Sequence, residues 1–302
     1  MWGPLARHSR VPLTRERVVT SDGDFVDLDW LDGPPAAPLV LALHGLEGSA
    51  RSHNVTGLLR HVHGRGWRGV ALNFRSCSGE LNHLPRFYHS GDTGDLDAIV
   101  TLLVERHPEV RLGVVGVSLG GNVLLKWLGE QSEDVPKALT AAVGISVPFD
   151  LARCAHQLDH GFERAVYTEH FLSSMRRKVF DKARRYPGFV DVEAVRRART
   201  FAEYDRVVTA PLHDFTDEHD YWTRASSGPY LARIRRPTLL ISALDDPIVP
   251  ADSLPDPLTL QPGIGAEFTE RGGHAGFLEG RWPWRLQSWA ERRAVEFLAG
   301  AL

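Results

Sequence analysis

A serine, two adjacent aspartates and a histidine, scattered along this chain, have the types and surroundings needed for nucleophilic acyl chemistry. Ser118 is the centre of Gly116-Val117-Ser118-Leu119-Gly120, which follows the apolar run Leu112-Gly113-Val114-Val115. The G-x-S-x-G pattern reads as a nucleophile elbow: a buried strand ends in a tight turn and passes into a helix, here expected from about Asn122. Glycine is needed on either side because a Cβ would collide with the neighbouring strand or helix, while the serine is held in a strained conformation. The turn pushes Ser118 Oγ out over the sheet edge, and the helix N-terminus behind it favours developing negative charge.

A hydroxyl is a poor nucleophile near neutral pH, so it needs a base, and the base needs an acid to orient it. Both follow, acid first. After the apolar strand Thr238–Ser242 comes Asp245-Asp246-Pro247-Ile248-Val249-Pro250. An acid just past a strand end lies on the same sheet edge as the elbow. Asp246 is the favoured acid, from the Asp-x-x-Val-Pro spacing, and Asp245 is expected to tighten the turn. The base is His274, in Arg271-Gly272-Gly273-His274-Ala275-Gly276-Phe277 after the last strand, where the glycines let a loop reach both partners. As general base it must be neutral, so turnover should fall once acid protonates it. The fourth requirement is an oxyanion hole. His44-Gly45-Leu46-Glu47-Gly48 directly follows the strand Leu39–Leu43, and the expected donors are the backbone N–H groups of Leu46 and Leu119. Such chemistry calls for no metal and no cofactor. His61–His63 and Asp217-Glu218-His219-Asp220, with His213 nearby, lack the spacing of a zinc site and read as structural or surface groups.

The elements that must hold these groups are short apolar runs alternating with helical patterns. Arg17–Val19 and Phe25–Trp30 flank Asp22-Gly23 as a hairpin. Strands are then expected at Leu39–Leu43, Val70–Phe74, Leu112–Val117, Ala141–Val147, Thr238–Ala243 and Glu267–Thr269. Helices are expected near Ser52–His63, Asp92–His107, Asn122–Glu130 and Arg285–Leu302. Buried runs separated by helices imply one α/β domain over 1–302, with a mostly parallel central sheet covered on both faces. From 150 to 236 no strand-like run occurs. This interval, between the sixth and seventh strands, is too long for a connection and reads as an inserted helical cap, with helical stretches at Leu172–Tyr186 and Val192–Tyr204. Residues 151–236 carry 16 Lys and Arg against 12 Asp and Glu. This basic bias could attract an anionic substrate or a membrane surface, but solvated faces of amphipathic helices are the simpler reading.

Composition bounds the rest. The 302 residues are 43% hydrophobic and 24% charged, as in a soluble globular protein. A net charge of −3 gives no reason to expect nucleic acid. Two cysteines, Cys77 and Cys154, offer no disulfide framework, so a reducing compartment is the default. The N-terminus from Met1 to Arg17 lacks a signal-peptide core, and no apolar run approaches a membrane span; the cytoplasm is the expected location.

With these motifs in hand the chain resembles, nearly end to end, the AB hydrolase 4 family of YheT-like bacterial esterases, whose animal relatives include membrane-anchored lipid hydrolases. The likeness is carried by His44–Gly48, Asn73-Phe74-Arg75-Ser76-Cys77-Ser78-Gly79-Glu80, Tyr88-His89-Ser90-Gly91-Asp92-Thr93, Gly116–Asn122, Ser146-Val147-Pro148-Phe149, Asp245-Asp246-Pro247 and Gly272–Phe277. It implies an α/β-hydrolase fold, a Ser118–Asp246–His274 triad and hydrolysis of a small-molecule carboxylic ester, lipid esters included. Ser76 and Leu81 stand where that family's pattern has Gly and Pro. In the Tyr88–Thr93 block, Ser90, Asp92 or Thr93 is expected to cap the next helix, with Asp92 and Asp95 at its positive end. The competing readings are acyl transfer by the same triad and a silent ligand-binding protein of the same fold. Oligomeric state is not legible.

Overall fold

The computed structural model describes residues 11–281 and 285–302; the first ten residues of the polar N-terminal stretch lie outside them. Eight strands form one sheet: β1 (Thr14–Val19), β2 (Phe25–Leu31), β3 (Leu39–Leu43), β4 (Arg68–Asn73), β5 (Leu112–Val117), β6 (Leu139–Ile145), β7 (Thr238–Ala243) and β8 (Ile264–Thr269). Their order is β1-β2-β4-β3-β5-β6-β7-β8. β2 pairs antiparallel with β1 and β4, and every later pairing is parallel. Strands this apolar must be covered on both faces. Accordingly Leu39, Leu41 and Leu43 point into a core shared with α2 (Gly94–Arg106) and α3 (Leu119–Gln131). Val40 and Ala42, offset by one residue, point into the core under α1 (His53–Gly64) and α9 (Trp289–Ala299).

Register then decides where the loops meet. Leu43 lies beside Gly116, and Gly116 beside Gly144, so β3, β5 and β6 finish nearly level. β7 and β8 run the same way, with Ala243 beside Thr269. The loops carrying residues 44–48, 118, 245–246 and 272–274 therefore leave from one sheet edge.

Between β6 and β7 the chain is helical: α4 (Leu151–Leu158), α5 (Glu169–Ala183), α6 (Val192–Arg197), α7 (Phe201–Tyr204) and α8 (Glu218–Ala225). These helices have their own core, built on Leu172, Val179, Val195 and Tyr204, which also takes in Phe87, Ile248 and Val249 from outside the segment. The single helical stretch expected over Val192–Tyr204 is two helices. Thr200 accepts from Glu203 N to start the second, and the buried Asp159 carboxylate accepts from Phe201 N at 2.7 Å.

Arg177, Arg184, Arg185, Arg196 and Arg197 are exposed, as solvated helix faces require, but three of the basic residues turn inward and correct that reading at their positions. Arg176 donates to Ala198 O, and Lys178 donates to Glu47. Lys182, 1% exposed, donates to Asn82 Oδ1 and to the carbonyls of Leu84 and Arg86, and burial brings its pKa down to about 7.

Two other expectations are corrected at helix ends. α3 begins at Leu119, immediately after the serine, rather than near Asn122. The last helix begins at Trp289, because 285–288 form β10 (Arg285–Ser288), antiparallel to β9 (Leu278–Arg281), with Trp289 N donating to Phe277 O.

On α9, Glu291 is 3% exposed against α1, and burial pushes its carboxyl up to about 7 from 4.5. A raised folded-state pKa gives stability that is present below the unfolded value and lost as pH climbs through the folded one. Glu291→Gln never ionises. Its melting temperature should separate from that of the native chain between pH 4.5 and about 7 and stay higher by at least roughly 2–4 °C above that window. Differential scanning calorimetry at pH 5 and pH 8 checks this. A gap that is equal at both would mean the carboxyl titrates normally.

Candidate active site

Ser118 sits at the tip of the β5–α3 turn with φ 54° and ψ −122°, left-handed backbone that a serine adopts only under constraint. The constraint is close packing. A Cβ at Gly116 would stand 2.4 Å from Gly120 O, and one at Gly120 would stand 2.6 Å from His44 O. Only hydrogen fits at either position, so the turn stays tight and the hydroxyl is directed outward.

His274 Nε2 lies 2.7 Å from Ser118 Oγ, and its Nδ1 lies 2.9 Å from Asp246 Oδ2. Asp246 has a fully buried side chain, and its Oδ1 accepts from Ile248 N at 2.8 Å and Val249 N at 3.1 Å. The structure thus brings Ser118, His274 and Asp246 into one hydrogen-bonded line. Asp245 does something different: its Oδ1 accepts from both Gly272 N and Gly273 N at 2.8 Å. Rather than tightening its own turn, it clamps the loop that carries the histidine.

The 44–48 loop lies against the same turn, with Gly45 so close that a Cβ there would meet Ser118 Cβ at 3.1 Å. Leu46 and Leu119 both line the pocket at Ser118. His44, 1% exposed, holds the base of this loop: its Nδ1–H donates to Gly45 O and its Nε2 accepts from Phe74 N at 3.1 Å. Burial brings the ring's pKa down to about 4, so it is a neutral structural imidazole.

Motif residues without an evident role in sequence acquire one here. Arg75 donates to Asp95 through both Nε and Nη2, and to Asp22 and Asp24 through Nη1. Asp95 is therefore an ion-pair partner more than a helix-dipole group, Asp92 pairs with Arg86, and the N-cap residue Thr93 makes no side-chain cap. Ser76 has φ 64°, which explains why glycine fits the family pattern there; its hydroxyl compensates by donating to Asn82 Oδ1. Tyr88 accepts from Glu47 N at 2.7 Å, and Ser90 O accepts from Asn122 on α3. The Tyr88–Thr93 block thus ties the 44–48 loop to the helix behind the serine.

Ser118 and His274 open onto a pocket of about 1040 Å³ of empty space, part of it continuous with solvent. Its walls are mostly apolar, with Leu158, Phe171, Phe201, Val208 and Trp222 from the helical segment and Ile248 after β7. His89 and His213 also face it, with ring centroids 4.5 Å apart and both pKa values driven down by burial. Asp217 caps α8, and His219 lies on the surface. Among the described residues no cluster of three or more His, Cys, Asp or Glu is arranged to hold a metal, and no helix is long and apolar enough to cross a membrane.

A family model for the alpha/beta hydrolase fold matches residues 38–281, and the chain belongs to that family. Within it the chain is YheT-like. YheT of Escherichia coli, an esterase by name, is 38% identical over 94% of this chain and 84% of its own length. The human phospholipase ABHD3 is 28% identical over 95% of this chain and 72% of its own. A Saccharomyces cerevisiae monoacylglycerol lipase is 28% identical over 83% of this chain and 57% of its own. Among solved structures the Pyrococcus furiosus esterase Pf2001 superposes with a TM-score of 0.62 at 19% identity, covering 96% of this chain and 91% of that one, a likeness of fold.

Proposed function

We propose that this carboxylic ester hydrolase is a serine enzyme that works through an acyl-enzyme intermediate. Ser118 Oγ attacks the acyl carbon while His274 Nε2 takes its proton. Asp246 holds the ring with its proton on Nδ1 and stabilises the imidazolium. The carbonyl oxygen becomes an oxyanion between the N–H groups of Leu46 and Leu119, dipoles fixed before the reaction starts. His274 then returns the proton to the leaving alcohol, and water, activated by the same ring, releases the acid. The observation that carries this reading is the unbroken line from Asp246 Oδ2 through the ring to Ser118 Oγ, with both contacts under 3 Å, at the mouth of an apolar pocket.

The helical segment 150–236 acts as a cap over the sheet edge, and the acyl chain lies between them. Apolar walls from Phe171, Phe201 and Val208 suit an acyl chain better than a charged group. The names of the phospholipase and monoacylglycerol lipase relatives favour acyl lipid esters among the substrates.

The test is a fluorophosphonate probe followed by peptide mass spectrometry. One adduct on Ser118 is expected, lost if the protein is unfolded first. A folded, unlabelled protein would belong to the silent binding class. Adding an alcohol to a turnover assay then separates the two enzymes: free acid as the dominant product supports hydrolysis, and a new ester identifies acyl transfer.

A further inference from the structure

Glu47 is the acidic residue of the 44–48 loop, one position past the oxyanion donor Leu46, and nothing in the triad chemistry uses it. Four contacts nevertheless hold it. Its N–H donates to Tyr88 Oη at 2.7 Å, and Tyr88 Oη donates to its Oε1 at 3.2 Å. Lys178 Nζ donates to the same Oε1 at 2.7 Å, and Ser174 Oγ donates to Oε2 at 2.5 Å. Lys178 and Ser174 stand one turn apart on α5, so both belong to the helical segment rather than to the sheet. The carboxylate side chain is 8% exposed and Lys178 18%, so the pair is largely desolvated, and removing either partner leaves the other charge buried and uncompensated.

The backbone explains why the loop needs holding. Glu47 has φ 55°, left-handed geometry that a non-glycine residue keeps only when its surroundings over-determine it. The peptide group preceding that strained residue is the one whose neighbour, the Leu46 N–H, must aim at the oxyanion. A donor misaimed by a fraction of an ångström loses much of its effect on a developing charge.

Resting on the serine-esterase reading above, we propose that Lys178 and Ser174 are positioning residues, which clamp Glu47 from α5 and thereby set the Leu46 half of the oxyanion hole. Docking of α5 and completion of the hole are then one event. With α5 displaced, Glu47 loses two of its three carboxylate partners, its strained backbone relaxes, and the serine remains while the oxyanion site is degraded.

The experiment uses the full chain with a short neutral p-nitrophenyl ester. Lys178→Met should lower kcat by about 10–100-fold, short of losing a whole donor, with KM nearly unchanged. Lys178→Arg should restore most of it. A trifluoromethyl ketone, which binds as an oxyanion, should lose affinity in step with kcat, while the matching secondary alcohol, which carries no oxyanion, should bind as before. A merely structural role would move both inhibitors together. Glu47→Gln should cost about as much as Lys178→Met, and the double variant no more than either, since both remove one clamp.

Full kcat and full ketone affinity in Lys178→Met, or additive losses in the double variant, overturn the proposal. Should Lys178→Met not fold, Ser174→Ala carries the same ketone-against-alcohol comparison, and equal shifts in the two affinities overturn it. If the native chain is neither inhibited by the ketone nor labelled by a fluorophosphonate, the serine mechanism itself fails, a result distinct from a clamp that proves unnecessary.

Discussion

Ser118→Ala should abolish turnover of an activated ester, with kcat down by on the order of 10⁴–10⁶ and an unchanged melting temperature. The size follows from the unit in which the serine acts. In the proposed mechanism, without Oγ, His274 has no proton to take and no acyl-enzyme can form, so only the oxyanion donors and substrate binding remain to speed attack by water. The fold should survive because alanine meets the same backbone demand as serine at φ 54°, and the tight contacts at Gly116 and Gly120 are untouched. Stopped assays with purified protein, paired with circular dichroism melts, check both halves. Turnover near that of the native chain in a folded Ser118→Ala variant would end the serine mechanism.

The next largest effect should separate two neighbouring aspartates. Asp246→Asn should lower kcat by roughly 10⁴, whereas Asp245→Asn should cost about tenfold or less. In Asp246→Asn, the amide oxygen is retained by the N–H groups of Ile248 and Val249, which need an acceptor. The amide NH₂ is then left facing His274 Nδ1 and, being a donor, forces the ring proton onto Nε2. A protonated Nε2 cannot accept from Ser118. Asp245→Asn keeps an oxygen for Gly272 N and Gly273 N and loses only the charge that strengthens those bonds. Steady-state kinetics of the two variants on one ester decide. A reversed order would reassign the acid, with the serine still the nucleophile.

What sequence could show here depended on distance along the chain. Ser118, Asp246, His274 and the 44–48 loop each directly follow a strand whose apolar run is unmistakable, and glycines mark the turns, so order and sheet edge were both readable. The choice of Asp246 over Asp245 rested on the residues after it, and the structure gives those residues a job: their N–H groups hold the carboxylate. Other features hid in long-range pairing. Lys178 lies in a run of basic residues that looks solvated, and only the fold brings it to Glu47, 131 residues away. Lys182 hid in the same way, because nothing local announces that loop carbonyls will surround its ammonium. β10 falls at the start of the stretch that reads as helix from Arg285, because short strands without a buried run leave no periodic signal.

Asn122, in the first turn of α3, donates to Ser90 O and Ala225 O and accepts from Ser227 N, taking partners up to 105 residues away from itself directly behind the serine. Its consequence lies in the order of events during folding. Contacts of such separation carry a large loop-closure cost and form late. A growing chain can complete β5 and α3 early, yet the turn holding Ser118 gains its rear support only after residue 227 has emerged, and the imidazole proposed as its base only after residue 274. An incomplete nascent chain therefore presents a serine without a reactive environment. Appearance of esterase activity during refolding should thus lag the recovery of secondary structure, making activity a clock for the last long-range closures.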